Sequence, residues 1–130
     1  MRKAIYTDKA PKPIAAYTQG IKTDGEIVTS GQIGIDLKTG NLAEGINEQT
    51  KLCLKYNMVI IEAGDGSMSD VLEVMVYLAR IDDYKPFNQE YQQFMQSYFP
   101  EGDYPTRAVS GGHQLPKNAL VEIKMRAKVK

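Results

Sequence analysis

Apolar positions along the chain switch between a two-residue period and a three-to-four-residue period, and each switch marks an element. Near the N-terminus, Ile21-Lys22-Thr23 and Glu26-Ile27-Val28-Thr29-Ser30 flank the dipeptide Asp24-Gly25. Both central residues tolerate positive φ, so the pattern predicts a two-residue type I′ hairpin. A second turn is expected at Lys38-Thr39-Gly40-Asn41. From Ile46 the period lengthens. Ile46, Thr50, Cys53, Leu54, Asn57, Ile60 and Ile61 recur three and four apart and predict one face of a helix. Gly64, just past that face, suits a left-handed C-cap.

The next run, Val71-Leu72-Glu73-Val74-Met75-Val76-Tyr77-Leu78, is apolar on both alternating faces except at Glu73 and reads as a central strand covered on both sides. A second helix is expected over 83–98, with Asp83 as N-cap, Pro86 tolerated in the first turn and Pro100 opposing continuation. Tyr84, Phe87, Tyr91, Phe94, Met95 and Tyr98 form its buried stripe. Strands return over 104–110 and 120–129. In the last one Val121, Ile123, Met125, Ala127 and Val129 face one way, and Leu120, Glu122, Lys124, Arg126 and Lys128 face the other.

This order of strands, helix, strand, helix, strands predicts a single α+β domain in which two helices pack on one face of a mixed sheet. The opposite face is left uncovered although its strands are apolar there, and self-association is the simplest remedy. Leu115-Pro116-Lys117-Asn118 is expected to turn the strand over 104–110 directly into the last strand. That hairpin would set Arg107 opposite Arg126 and Glu122 opposite Gly111. The four-residue offset separates Arg107 from Glu122 by roughly 13 Å at about 3.3 Å per residue, too far for one small ligand within one chain.

Composition narrows the function class. Apolar residues make up 42% and charged residues 25%, as expected of a folded domain rather than a disordered chain. Lys plus Arg equals Asp plus Glu at 16 each, so no net field favours nucleic acid or an anionic membrane. No apolar run approaches the ~20 residues of a membrane helix. The N-terminus turns polar before a signal-peptide core could form, and the one cysteine, Cys53, fits a reducing compartment, so a cytoplasmic location is expected. One His and one Cys cannot build a closed zinc site, and no phosphate-binding glycine loop is present, so neither a metal nor an organic cofactor is expected.

Four features could carry chemistry. Arg107, on a strand with apolar neighbours, is either a surface charge or a planar fork for a carboxylate. Glu122, among Leu120, Lys124 and Arg126, is either an exposed paired acid or a general base acting on water. Gly31 in Ser30-Gly31-Gln32 marks either a bulge or a close approach of ligand to bare backbone. Tyr17 is either loop packing or part of a site. Asn57 reads as a satisfied polar group in the helix core, Asn88 is ambiguous, and Cys53 shares the buried helix face.

These features occur together in one family. The chain resembles the RidA (YjgF) family over nearly its whole length. The resemblance rests on Tyr17-Thr18-Gln19-Gly20, Thr29-Ser30-Gly31-Gln32-Ile33, Lys38-Thr39-Gly40, Asn88-Gln89-Glu90-Tyr91, Pro105-Thr106-Arg107, Leu115-Pro116-Lys117 and Val121-Glu122-Ile123. It implies a chorismate-mutase-like fold in a homotrimer, with ligand clefts between subunits. It also implies hydrolysis of the enamine/imine products of PLP-dependent dehydratases, 2-iminobutanoate and 2-iminopropanoate, to 2-keto acids and ammonia without a cofactor. Arg107 would bind the substrate carboxylate, Glu122 would activate water and Tyr17 would line the pocket. Ser30, Gly31, Asn88 and the backbone of Val109 would complete the binding site. The chain departs from the family pattern at Ala15-Ala16, Thr106, Val109 and Gly111-Gly112-His113, which bears on substrate preference. Two other roles share these residues: a non-catalytic 2-keto acid sensor and, disfavoured by the neutral charge, an endoribonuclease.

Overall fold

Asp24 and Gly25 take φ of 51° and 78°, so the type I′ turn forms where it was expected. In the computed structural model, which describes residues 1–130, this turn joins β2 (Gly20–Thr23) to β3 (Glu26–Thr29). The other strands are β1 (Lys3–Ile5), β4 (Gln32–Ile33), β5 (Val71–Leu78), β6 (Thr106–Ser110) and β7 (Val121–Lys128), and the helices are α1 (Gly45–Ala63) and α2 (Tyr84–Met95). The sheet runs β1-β2-β3-β7-β5-β6, with β4 continuing the β3 edge along β7. Only the β5–β6 pair is parallel. The expected α+β architecture, a mixed sheet with two helices on one face, is the one observed.

The core lies between that face and the helices. Ile27, Val74, Val76, Leu78, Val121, Ile123, Met125 and Ala127 of the sheet pack with Cys53, Leu54, Ile60 and Ile61 of α1 and Phe87, Tyr91 and Met95 of α2. Alternation along β7 is as expected, with the residues from Val121 to Ala127 buried at every second position. No helix is long and apolar enough to cross a membrane.

Two details position the site. Between β3 and β4 the register on β7 moves from Val28↔Arg126 to Gln32↔Ile123, four residues on one strand against three on the other. The extra residue is a β-bulge at Ser30-Gly31. The ladder bonds lost there are replaced from α1. Asn57 Nδ2 donates to the Ile123 carbonyl at 3.0 Å and to Cys53 O at 2.8 Å, while its Oδ1 accepts from Thr29 Oγ1 at 2.7 Å. The Thr29 hydroxyl in turn accepts from Met125 N at 2.8 Å. Asn57 is thus the satisfied core polar group expected of it.

Three expectations need correction. β6 and β7 do not form a hairpin: β5 lies between them, and Leu115-Pro116-Lys117-Asn118 belongs to a longer connection that crosses over it. Gly64 is not in the left-handed region; its φ is −95°, and Asp65 takes that conformation with φ 68°. Glycine is needed there for space, because a Cβ would lie 2.8 Å from the Ile5 and Ile27 side chains. Tyr84 is not buried in the α2 stripe. It is the first residue of the helix and 37% exposed, and its hydroxyl is engaged by the guanidinium of Arg107 instead of lying in the apolar core.

Candidate functional site

Arg107 sits on the edge strand β6 and is the register partner of Val74, so its side chain points to the helix face. There α2 meets it with one surface, because Tyr84, Phe87, Asn88 and Tyr91 fall at helical spacing. Arg107 Nη1 donates to Asn88 Oδ1 at 2.8 Å and Nη2 donates to the Tyr84 hydroxyl at 2.7 Å. Its Cζ lies 4.7 Å from the Tyr91 ring centre, 5.7 Å from that of Tyr84 and 5.8 Å from that of Phe87, a cation–π cradle. A cavity of about 260 Å³ adjoins the guanidinium, lined by Asn88, Tyr91, Gln92, Tyr104, Pro105 and Arg107. Burial pushes the Tyr91 phenol up to about 12, against the pull of Arg107, so this wall stays neutral. No carboxylate forms an ion pair with Arg107, although Arg126, by contrast, is neutralised by Glu26 and Glu73, each at 3.3 Å. A half-buried guanidinium held by neutral groups keeps its charge for an incoming anion.

Glu122 lies elsewhere. It is the partner of Tyr77 on β5 and Ile33 on β4, between the buried Val121 and Ile123, so it faces away from the helices. Its carboxyl rests over Gly31, where an added Cβ would come within 2.8 Å of Glu122 Cδ. Of the two readings the sequence left open for Gly31, the structure shows the bulge, and the group lying against its bare backbone is the Glu122 side chain. A cavity of about 380 Å³ opens here, with Glu122, Gly31, Tyr17, Ile33 and Lys117 among its lining. Burial raises the Glu122 pKa above its ordinary value, and the positive charge of His113 opposes that shift. His113 Nε2 is 2.7 Å from Ser110 Oγ, with its ring edge-on to Tyr77.

The Tyr17 loop is held by its neighbours. Ser30 Oγ donates to Thr18 O at 2.5 Å and Ser30 N to Gln19 O at 2.8 Å. Gln19, part of the Tyr17-Thr18-Gln19-Gly20 segment, has a role that the sequence does not assign to it. Its buried amide accepts from Thr7 N at 2.7 Å and donates to Thr7 O and Pro11 O at 3.0 Å each, fixing the N-terminal segment that walls the Glu122 cavity. The signal was a long amide side chain placed directly before strand β2. Val109 turns its side chain to the core, which leaves its backbone on the edge strand as its polar resource. No group of three or more His, Cys, Asp or Glu residues is placed to hold a metal.

The predicted site residues thus form two clusters. Arg107, Asn88 and Val109 gather on the helix side of β6, whereas Glu122, Gly31, Ser30 and Tyr17 gather at the bulge and its loop. Arg107 is level with Val74 and Glu122 with Tyr77, three residues or ~10 Å apart along β5, and two strand spacings of ~4.8 Å apart across the sheet. The separation expected from sequence therefore holds, although the hairpin register invoked for it does not.

A family model described as Endoribonuclease L-PSP matches residues 7–129. The chain belongs to the RidA/YjgF family. Within that family, a RutC family protein of Pyrococcus horikoshii is 40% identical over 124 residues, covering 95% of this chain and 94% of its own. A protein of Dermatophagoides farinae named 2-iminobutanoate/2-iminopropanoate deaminase is 32% identical over 123 residues, covering 94% of this chain and 92% of its own. The crystal structure of Escherichia coli TdcF with bound serine has a TM-score of 0.92 at 30% identity, covering 98% of this chain and 99% of that one. The RidA/YjgF fold is therefore this chain's fold, and its relatives include reactive intermediate deaminases.

Proposed function

We propose that this chain is a 2-iminobutanoate/2-iminopropanoate deaminase, which hydrolyses short 2-imino acids to 2-keto acids and ammonia. The observation that carries the reading is Arg107, a guanidinium free of ion pairs beside a cavity sized for a small acid. A carboxylate bound bidentately there fixes the C=N carbon in space and turns a chance encounter with water into an oriented one. Glu122, as a carboxylate, takes a proton from that water while the water oxygen bonds to the imine carbon, and the C=N electron pair takes up a proton from solvent at nitrogen, which the hydroxyl proton repays on collapse. The carbinolamine then collapses: the C–N bond breaks, the hydroxyl proton leaves as C=O forms, and the proton held by Glu122 departs with ammonia. Water and imino acid account for every atom of keto acid and ammonia, and no cofactor enters the balance.

The two clusters meet in this reading only between chains, with Arg107, Asn88 and Val109 from one subunit and Tyr17, Ser30, Gly31 and Glu122 from its neighbour. Support comes from the rim of the Glu122 cavity. Ile14 is 82% exposed, Leu37 48% and Tyr17 47%, an apolar ring around a half-buried acid that a second chain would cover. A homotrimer, as the resemblance implies, closes such a head-to-tail contact into a ring.

The test is to generate the imine in situ with a dehydratase acting on threonine or serine and to follow its decay. Wild type should accelerate the decay, and Arg107→Ala should not. A wild type without effect removes the deaminase reading. The serine bound in the TdcF structure favours a second reading, a sensor that binds small amino or keto acids without turnover. Glu122→Gln separates the two, because it abolishes turnover in an enzyme and leaves affinity intact in either.

A further inference from the structure

We infer that Tyr84 is a positioning residue for the acid anchor, its hydroxyl fixing the orientation in which Arg107 receives a carboxylate. The inference rests on the reading of Arg107 as that anchor. Tyr84 Oη accepts from Arg107 Nη2 at 2.7 Å, and its ring lies within cation–π distance of the same guanidinium.

The contact is not explained by packing. Tyr84 is among the exposed large apolar side chains of the protein, so water could satisfy its hydroxyl, and folding gains little from this bond. What the bond does is restrict Arg107. A guanidinium on a flexible stem at a sheet edge loses rotamer freedom when it binds a ligand, and that ordering cost subtracts from affinity. Asn88 alone would leave the fork free to pivot about the Nη1 contact. Tyr84 supplies a second point on Nη2, and the Tyr91 ring closes one face at 4.7 Å. Two points and a stacking surface define the guanidinium plane.

The donor count is compatible with a ligand. Arg carries five N–H groups in a fixed fork. Two are taken by Asn88 and Tyr84, and a bidentate carboxylate uses two of the three that remain. Tyr84 therefore need not be displaced when an acid binds.

Tyr84→Phe keeps the ring and the cation–π contact and removes only the hydroxyl. The full-length protein and its variant are titrated with 2-oxobutanoate by calorimetry, and kcat and KM for the imine are measured alongside thermal unfolding. The variant should bind 2-oxobutanoate roughly three- to tenfold more weakly and show KM raised by a similar factor, as expected for the loss of one orienting hydrogen bond of ordinary net strength. Its kcat should stay within about twofold and its melting temperature unchanged, because the group acts on binding and not on the water. Tyr84→Leu, which also loses the ring, should weaken binding further. Unchanged affinity in Tyr84→Phe overturns the inference, as does a loss of kcat at constant KM. If wild type binds 2-oxobutanoate but does not hydrolyse imine, the deaminase reading fails while the affinity comparison still decides the role of Tyr84.

Discussion

Arg107 and Glu122 lie on opposite faces of one sheet, with β5 between the strands that carry them. The face assignment follows from their partners: Arg107 is level with the buried Val74, and Glu122 alternates with the buried Val121 and Ile123. A carboxylate on the guanidinium therefore cannot bring its 2-carbon to a water held by Glu122 of the same chain. Any chemistry that uses both requires a second copy.

Glu122 should set the acid limb of the activity profile. Burial raises its pKa, so the carboxylate that accepts the proton of water is present only above a value higher than usual, and activity falls as pH drops through it. His113→Ala should move that limb to still higher pH, because the charged imidazole favours the ionised carboxyl. Stability has the opposite sign. A carboxyl whose folded pKa lies above its unfolded pKa favours folding while protonated, and that advantage is lost as pH rises from the unfolded value through the folded one. Glu122→Gln should thus melt higher than wild type at pH 7, with the difference vanishing below the ordinary carboxylate range. Thermal scans across pH 4–8, alongside kcat, check both signs.

Gly31→Ala tests the contact beneath the acid. The new methyl would stand 2.8 Å from Glu122 Cδ, and the flexible carboxyl end will move rather than the backbone. The expected result is a folded protein with a near-native melting temperature and kcat reduced roughly tenfold or more, since small displacements of a catalytic group are costly. Equal losses of stability and activity would mean that the glycine serves the bulge alone.

Asn57→Leu tests the repair of that bulge from α1. It leaves the Ile123 carbonyl and the Thr29 hydroxyl without their buried partner. The expected destabilisation is about 2–6 kcal/mol by urea unfolding, from two buried polar groups at roughly 1–3 kcal/mol each.

The sequence made the local elements plain because their signals are local. Asp24-Gly25 dictates its turn, the spacing from Ile46 to Ile61 dictates α1, and the alternation from Val121 to Ala127 dictates which residues of β7 are buried. The place of β6 was hidden. Leu115-Pro116 looks like a hairpin turn, and nothing nearby records that β5, thirty residues earlier, enters between β6 and β7. Parallel pairing is fixed by long-range packing under α2 rather than by any turn. Arg107 and Glu122 stood out by charge among apolar neighbours, but the face of Arg107 could not be read until its partner on β5 was known. The spacing of Tyr84 fits the core stripe, because periodicity registers the ring and is blind to its hydroxyl bond.

The requirement for two chains can be measured by complementation. Arg107→Ala and Glu122→Gln, each inactive alone, are unfolded together at equal concentration, refolded, and assayed for imine hydrolysis, with mixed assembly verified by native mass spectrometry. If each site takes its guanidinium from one chain and its carboxylate from the next, random mixing restores about a quarter of the sites. Mixed assemblies that remain as inactive as either parent would show that both residues must come from one chain, contrary to the geometry of this sheet.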